Sequence, residues 1–161
     1  MAAPLRISTL SDLEVVITRA FDGPRDLVFD CHTKPELVRR WLLGPPGWTM
    51  PVCEIDLRVG GTYRYVWRGP AGEEMGMGGV FEEVARPERF ASRERFDQDW
   101  TGGETLATTE FTEAGNRTIC TVTVKYSSKE ARERALASGM TEGMEAGYRR
   151  LDELLTVKAA S

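Results

Sequence analysis

Alternating apolar and polar positions predict seven β-strands along most of the chain. The clearest run is residues 62–68, TYRYVWR, in which Tyr63, Tyr65 and Trp67 share one face because successive strand residues point to opposite sides. Glycine-rich turns at 60–61 and 69–72 bound this run. The seven predicted strands are Leu13–Ala20, Met50–Leu57, 62–68, Met75–Val84, Arg89–Phe96, Thr105–Thr112 and Arg117–Tyr126. In the fourth, Gly76, Gly78 and Gly79 would admit a bulge or a close backbone approach.

A short helix is predicted directly after the first strand. Asp22 or Gly23 can cap it, and Pro24 fits its first turn, where a missing N–H costs nothing. The helix should end near His32, with an apolar side made of Val28, Phe29 and Cys31.

A second short helix is predicted to follow at once. Thr33 and Glu36 have the spacing of a capping box, so a helix should run from there to about Trp41. Residues 44–47, GPPG, then end it.

The last predicted element is a long helix after the seventh strand. Ser127 and Glu130 form a second capping box, and no proline follows them. Apolar residues recur every three or four positions from Leu136 to Leu155, so one stripe should face the sheet, while Gly139 is a candidate break or kink.

This order of elements predicts an α+β fold. Consecutive strands favour antiparallel hairpins, and one long helix laid across them gives a two-layer domain. We expect a single domain over residues 1–161, with an ordered core from about residue 13 to about residue 156.

Composition narrows the function. Apolar residues make up 41% and charged residues 29% of the 161 residues, which is typical of a folded globular chain. The formal charge of −4 and the lack of a basic stripe argue against a nucleic-acid partner. No apolar run is long enough to span a membrane and no signal-peptide pattern opens the chain, so the expected location is the cytoplasm.

Candidate catalytic and metal-binding groups are sparse. Cys31, Cys53 and Cys120 show no CxxC spacing and are interpreted as small buried hydrophobic residues. His32 lacks a spaced acidic partner for a triad and is poorly placed to chelate a metal with Cys31. No phosphate-loop or dinucleotide pattern is present. The sequence therefore predicts no catalytic residue, no metal and no cofactor.

Charged residues within strands have two interpretations. One of Arg93, Glu94 and Arg95 would bind the polar end of a ligand if it pointed inward, although a surface ladder of cross-strand pairs is the simpler account. The neighbouring pairs at 73–74 and 82–83 point to opposite faces and do not converge on one substrate.

Several segments together resemble one family. They are residues 20–41, AFDGPRDLVFDCHTKPELVRRW, the GPPGWT turn, the DLRVGG turn and the closing Gly-Met helix. The chain resembles the START-related helix-grip superfamily, and in particular the branch of the activator of the heat-shock-protein-90 ATPase. The resemblance implies a curved antiparallel sheet of about seven strands around a long carboxy-terminal helix, with two short helices closing one end. It differs from the family pattern at Trp41, which is followed by leucines 42–43 instead of a second tryptophan.

The resemblance also implies a cavity between sheet and helix that holds a hydrophobic ligand. Candidate contacts are the aromatic face of the third strand, methionines on both walls and two tryptophans that form a lid or anchor the intervening loop. These ligand-binding candidates are Trp41, Trp48, Tyr63, Tyr65, Trp67, Met75, Met77, Met140 and Met144. Gly143 and Gly147 could leave room for the ligand; plain core packing is the alternative for every one of these residues.

Three functional hypotheses follow. The leading one is non-enzymatic binding of a small hydrophobic or amphipathic ligand. The alternatives are an enzyme of the polyketide cyclase or aromatase kind and a chaperone-associated interaction module. The chaperone is the weaker candidate partner because the chain has no room for the amino-terminal domain of the eukaryotic co-chaperone. A homodimer stays open, and Trp100 is a candidate exposed contact.

Overall fold

The computed structural model describes residues 3–98 and 103–159, and Trp100 lies outside these residues. The strands within them are β1 Arg6–Ser8, β2 Glu14–Phe21, β3 Thr49–Ile55, β4 Thr62–Arg68, β5 Glu74–Ala85, β6 Arg89–Phe96, β7 Thr105–Ala114 and β8 Arg117–Lys125. The helices are α1 Arg25–Thr33, α2 Pro35–Val38, α3 Lys129–Ala137 and α4 Met140–Ala159. The α+β class and the long closing helix are confirmed.

The described strands form one antiparallel sheet in the order β1-β2-β8-β7-β6-β5-β4-β3. Seven of them are the predicted strands, and the eighth, β1, was missed. It has only three residues, all exposed, which is too short for an alternating pattern to be visible in the sequence. Its backbone pairs with β2 at the edge of the sheet, where Ile7 lies opposite Ile17.

Alternation determines which strand faces point inward. β2 buries every second residue, and the inward set is Val15, Ile17, Arg19 and Phe21. β4 does the same with Tyr63, Tyr65 and Trp67. Of the two interpretations of glycines 76–79, the bulge is wrong, since those residues pair in register with β4 and the irregularity of β5 lies between Phe81 and Glu83. The close approach is found at Gly79, where an added Cβ would lie 2.4 Å from the Tyr63 ring.

The caps of the two short helices differ from the prediction. Pro24 itself occupies the N-cap of α1, and no side chain caps it. Thr33 ends α1 instead of starting α2, because its hydroxyl donates a 3.0 Å hydrogen bond to the carbonyl of Phe29. Lys34 is the N-cap of α2, which is a single turn followed by turn hydrogen bonds that extend to Trp41.

Gly139 breaks the closing helix in two. It adopts a φ of +83°, a left-handed conformation that glycine allows without strain, and separates α3 from α4. The cap of α3 is Ser128 and not the predicted Ser127, because the Ser128 hydroxyl oxygen accepts a 3.0 Å hydrogen bond from the N–H of Ala131. None of the helices in the described ranges is long and apolar enough to cross a membrane.

The long helix α4 is attached to β2 by a buried cation. The Arg19 guanidinium is almost fully buried, donates two 2.8 Å hydrogen bonds to the carboxylate of Asp152, and also bonds Glu145. It lies over the rings of Phe21 and Tyr148. The buried apolar side chains form two hydrophobic clusters, one around α1, α4, β2 and β8 and the other around β3, β4 and β5.

Candidate ligand cavity

A cavity of about 330 Å³ lies between α4 and the inner face of the sheet, bordered by residues of both hydrophobic clusters. Its wall is mostly aromatic and aliphatic. A pocket of this size and character, with few polar groups, is typical of sites for small organic molecules.

Most of the predicted ligand contacts line this cavity. The lining includes Trp41, Tyr63, Tyr65, Trp67, Met77, Met140 and Met144. Trp48 and Met75 are not among the lining residues. Both are partly buried and pack against the cluster around β3, β4 and β5. Side chains of β4 and β5 lie on the same cavity wall because the register of these two strands pairs Tyr65 with Met77. Their role as ligand contacts stays a prediction.

The centre of the wall holds a hydrogen-bonded polar group. The Tyr63 hydroxyl donates a 2.7 Å hydrogen bond to Glu94 Oε2 and lies 3.0 Å from Ser92 Oγ. Since the proton of Tyr63 is directed to the carboxylate, Ser92 is the donor to Tyr63. The hydrogen bonds from Ser92 to Tyr63 and from Tyr63 to Glu94 therefore run in one direction and end at the Glu94 carboxylate. All three residues line the cavity.

Burial changes the ionisation of these groups. It raises the pKa of Glu94 above its usual value, against the opposing effect of the hydrogen bond from Tyr63. Burial first and the Glu94 charge second raise the pKa of Tyr63, and burial together with the same carboxylate raises the pKa of Tyr126 to about 12. Among the described residues that line the cavity, Glu94 is thus the one acidic side chain, and it lies in a wall of neutral rings.

In the sequence analysis, a Glu94 side chain that points inward was only the less favoured of two interpretations of residues 93–95. The signal was the parity of its strand, because Phe90, Ser92, Glu94 and Phe96 alternate with Arg89, Arg93 and Arg95. The first set borders the cavity, whereas Arg93 is exposed and pairs with Glu82 on the outer face at 2.6 Å. Two phenylalanines of the same parity could have assigned Glu94 to the inner face.

His32 also borders the cavity, which the sequence did not predict. Its ring lies against Trp41 and Phe111, with centroid distances of 4.8 and 5.0 Å. Nδ1 is 2.8 Å from the carbonyl oxygen of Val28, while the buried Nε2 has no protein partner within the described residues. Burial lowers the pKa of His32 to about 4, so the ring is neutral near pH 7.

Trp41 has the contacts of an anchor. It is 3% exposed, its Nε1 donates a 2.8 Å hydrogen bond to the carbonyl of Cys31, and its ring stacks on Tyr148 at 5.8 Å. Trp67 Nε1 similarly donates to the carbonyl of Leu42 at 2.7 Å. Both indoles thereby fix the segment between α2 and β3, which supports the anchoring interpretation of Trp41 over a lid.

The helix side of the cavity carries two methionines and two glycines. Met140 Sδ accepts a 3.6 Å hydrogen bond from the Tyr126 hydroxyl. A Cβ added at Gly143 would meet no atom within 4 Å, so this glycine does leave room. A Cβ at Gly147 would lie 3.0 Å from the carbonyl oxygen of Trp41, so Gly147 serves close packing.

The thiols are buried and unpaired, as expected. Cys31, Cys53 and Cys120 form no disulfide, and burial raises the pKa of Cys31 and Cys53 to about 11 and that of Cys120 to about 12. They are therefore protonated and unreactive near neutral pH. Within residues 3–98 and 103–159, no group of three His, Cys, Asp or Glu side chains is arranged so that it could hold a metal ion.

A protein-family model matches most of the chain. The model for the family "Activator of Hsp90 ATPase homolog 1-like protein" matches residues 22–156. No curated protein sequence matches the chain significantly.

Solved structures share the whole architecture. A crystal structure of a Rhodobacter sphaeroides protein is 32% identical, covers 96% of this chain and 99% of its own, and superposes with a TM-score of 0.91. A Mycobacterium smegmatis protein is 26% identical over 96% of this chain and 97% of its own, with a TM-score of 0.81. An Hsp90 activator from Plasmodium falciparum is 21% identical, covers 81% of this chain and 89% of its own, and has a TM-score of 0.57, which supports the fold alone. The chain therefore belongs to the family of activator of Hsp90 ATPase homolog 1-like proteins, within the helix-grip superfamily.

Proposed function

We propose that this protein binds a small hydrophobic or amphipathic ligand in the cavity between α4 and the sheet. The observation that carries the proposal is the cavity of about 330 Å³, whose wall of aromatic and methionine side chains includes the carboxylate of Glu94. A close-packed core has few voids larger than a water molecule, so a space of this size in the middle of the domain suits an occupant.

The energy available from such burial is sufficient for useful affinity. A ligand that removes roughly 300 Å² of apolar surface from water gains about 7.5 kcal/mol at about 25 cal/mol per Å². Association costs reduce this gain, and hydrogen bonds to polar groups of the wall add to it. We expect dissociation constants in the micromolar range.

The first experiment asks what the purified protein carries. Denaturing extraction followed by mass spectrometry should release a small apolar molecule in proportion to protein. The same extraction of Gly143→Leu should release little, because the added side chain enters the open space beside Gly143. The matched control is Glu142→Leu, which adds the same side chain at the neighbouring exposed position.

A second experiment tests binding directly with 2-naphthol as the probe. Wild type and Glu142→Leu should show saturable binding in calorimetry and a higher melting temperature with the probe, whereas Gly143→Leu should not. Equal binding by all three proteins would place the probe elsewhere and contradict the proposal, as would an empty extract combined with no binding.

Glu94 gives one specific reason to keep an enzymatic candidate. A cyclase or aromatase needs a titrating group beside the bound chain, and the Glu94 carboxylate with its Tyr63 partner meets that requirement. The test is the mass and fragmentation of a released ligand after incubation with fresh wild type or Glu94→Gln. Identical spectra with both proteins would contradict catalysis by Glu94.

The outer face of the sheet does not favour a chaperone partner. It carries ion pairs between Arg64 and Asp97, Arg68 and Glu74, and Arg93 and Glu82. Protein contact through this face would need a contiguous apolar patch, which such charged pairs interrupt.

A further inference from the structure

The polar atoms of the cavity wall are unequal in what they offer a ligand. Some groups only accept hydrogen bonds, some only donate, and hydroxyl groups do both. The hydroxyls of Tyr65, Tyr126 and Tyr148 are of the third kind and favour neither donors nor acceptors. Selectivity therefore depends on the groups with a single role and on which of them are already occupied.

The dedicated donors at the wall are occupied. Trp41 Nε1 donates to the carbonyl of Cys31 and Trp67 Nε1 donates to the carbonyl of Leu42, at 2.8 and 2.7 Å. The described residues that line the cavity include no lysine or arginine. Arg150, in the middle of α4, is not a lining residue, and its Nη1 donates to the carbonyl of the lining residue Gly44 at 2.8 Å.

The dedicated acceptors have spare capacity. A carboxylate has about four acceptor sites, and the Glu94 side chain accepts a hydrogen bond from Tyr63 at one oxygen. His32 adds a second acceptor, because the carbonyl of Val28 can only accept, which fixes the proton on Nδ1 and leaves a bare lone pair on Nε2. That Nε2 atom is buried without a protein partner within the described residues.

We propose that the cavity selects ligands whose polar end donates hydrogen bonds, an alcohol, a phenol or an amine, over ligands that end in a carboxylate. The inference rests on the proposed binding function and specifies its ligand class. A donor head satisfies Glu94 or His32, and an ammonium head also neutralises the buried carboxylate. A carboxylate head meets a like charge at a wall whose described residues include no cation to receive it.

Four naphthalene probes of one shape test this preference. They are 2-naphthol and 2-naphthylmethylamine as donors, 2-methoxynaphthalene as an ether without a donor, and 2-naphthoate as the anion. Dissociation constants are measured near pH 7 by calorimetry for wild type, Glu94→Gln and Glu82→Gln. Glu82→Gln is the matched control, since it removes the same charge from the outer face.

We expect the naphthol and the amine to bind wild type at least about tenfold more tightly than the ether and the carboxylate. Glu94→Gln should abolish the advantage of the amine and strengthen 2-naphthoate binding, because the amide removes the charge and supplies N–H donors. Glu82→Gln should behave as wild type. His32→Phe, which keeps an aromatic ring but removes the second acceptor, should narrow the gap between naphthol and ether if Glu94→Gln fails to fold.

The outcomes separate this inference from the binding proposal. Equal affinities for all four probes, or tightest binding of 2-naphthoate, would overturn the donor preference while leaving cavity binding intact. A preference that Glu94→Gln and His32→Phe both leave unchanged would also overturn it. No binding of any probe would overturn both proposals together.

Discussion

Gly79 lies directly beneath the ring of Tyr63, so closely that a Cβ atom on Gly79 would sit 2.4 Å from the ring carbon Cζ and from the hydroxyl oxygen. The absence of a side chain at one position of β5 thus determines where the Tyr63 hydroxyl meets Glu94. This contact explains why a strand interior tolerates glycine, a residue that otherwise weakens strands.

Gly79→Ala should destabilise the protein by about 1–3 kcal/mol, the usual cost of overpacking, because the buried Tyr63 ring must move. It should also weaken 2-naphthol binding by displacing the Tyr63–Glu94 pair. Urea unfolding and calorimetry measure the two effects. Gly78→Ala is the control, since its Cβ would lie 3.5 Å from the nearest atom, the Tyr63 carbonyl oxygen. Equal effects of the two alanines would contradict the steric account.

The same substitution, glycine to alanine, should affect the stability of the protein differently at two positions of α4. Gly143→Ala places a methyl group in open space and should raise the free energy of unfolding by up to about 1 kcal/mol through helix propensity. Gly147→Ala brings a Cβ to 3.0 Å from the Trp41 carbonyl oxygen and should cancel or reverse that gain. Chemical denaturation measures the free energy of unfolding of both variants. Indistinguishable stabilities would show that the Trp41 backbone moves away from the added Cβ at no cost in free energy.

Replacing Glu94 should change how stability depends on pH. The folded state raises the pKa of Glu94, so it binds this proton more readily than the unfolded chain does. Protonation of Glu94 therefore stabilises the folded state below the usual pKa of 4.5. This stabilisation is lost as pH rises through the raised pKa that Glu94 has in the folded state. Glu94→Gln should therefore gain stability relative to wild type between pH 4.5 and neutral pH. Urea unfolding across that range tests this, and Glu82→Gln should not show the gain.

His32 should have the opposite effect on the pH dependence of stability, because it destabilises the folded protein as pH falls. The pKa of His32 falls from 6.5 to about 4 on folding. The contribution of the neutral ring to the free energy of unfolding is therefore complete above pH 6.5 and is lost as pH falls towards 4. The loss is at most about 3.5 kcal/mol at about 1.4 kcal/mol per pKa unit. His32→Phe should resist this acid destabilisation. A variant that loses stability as steeply as wild type over the same range would contradict the buried neutral imidazole.

The sequence predicted the fold well where periodicity was strong. Residues 62–68 alternate so regularly that their inner face could be assigned, and the glycine at 139 marked the break in the closing helix. Caps were harder, because Ser127 and Ser128 are neighbours of one type and only backbone geometry decides which of them accepts from Ala131.

The candidate site was predictable only in its apolar part. Three consecutive charged residues at 93–95 resemble a surface ladder, and the inward direction of Glu94 depends on strand register and on room beneath Tyr63. The position of His32 at the cavity depends on how α1 packs against β7, a tertiary contact that the local pattern does not encode.

The ion pairs of Arg19 have a consequence for how this scaffold can diversify. Glu145 and Asp152 stand two helical turns apart on α4, so their joint grip on one guanidinium fixes the helix against rotation about its axis. None of these three residues lines the cavity, whereas Met140, Gly143 and Met144 on the same helix do. The two carboxylates that orient α4 are therefore separate from the cavity-facing side chains at 140, 143 and 144, so these three positions can be exchanged for new specificities without loss of the ion pairs.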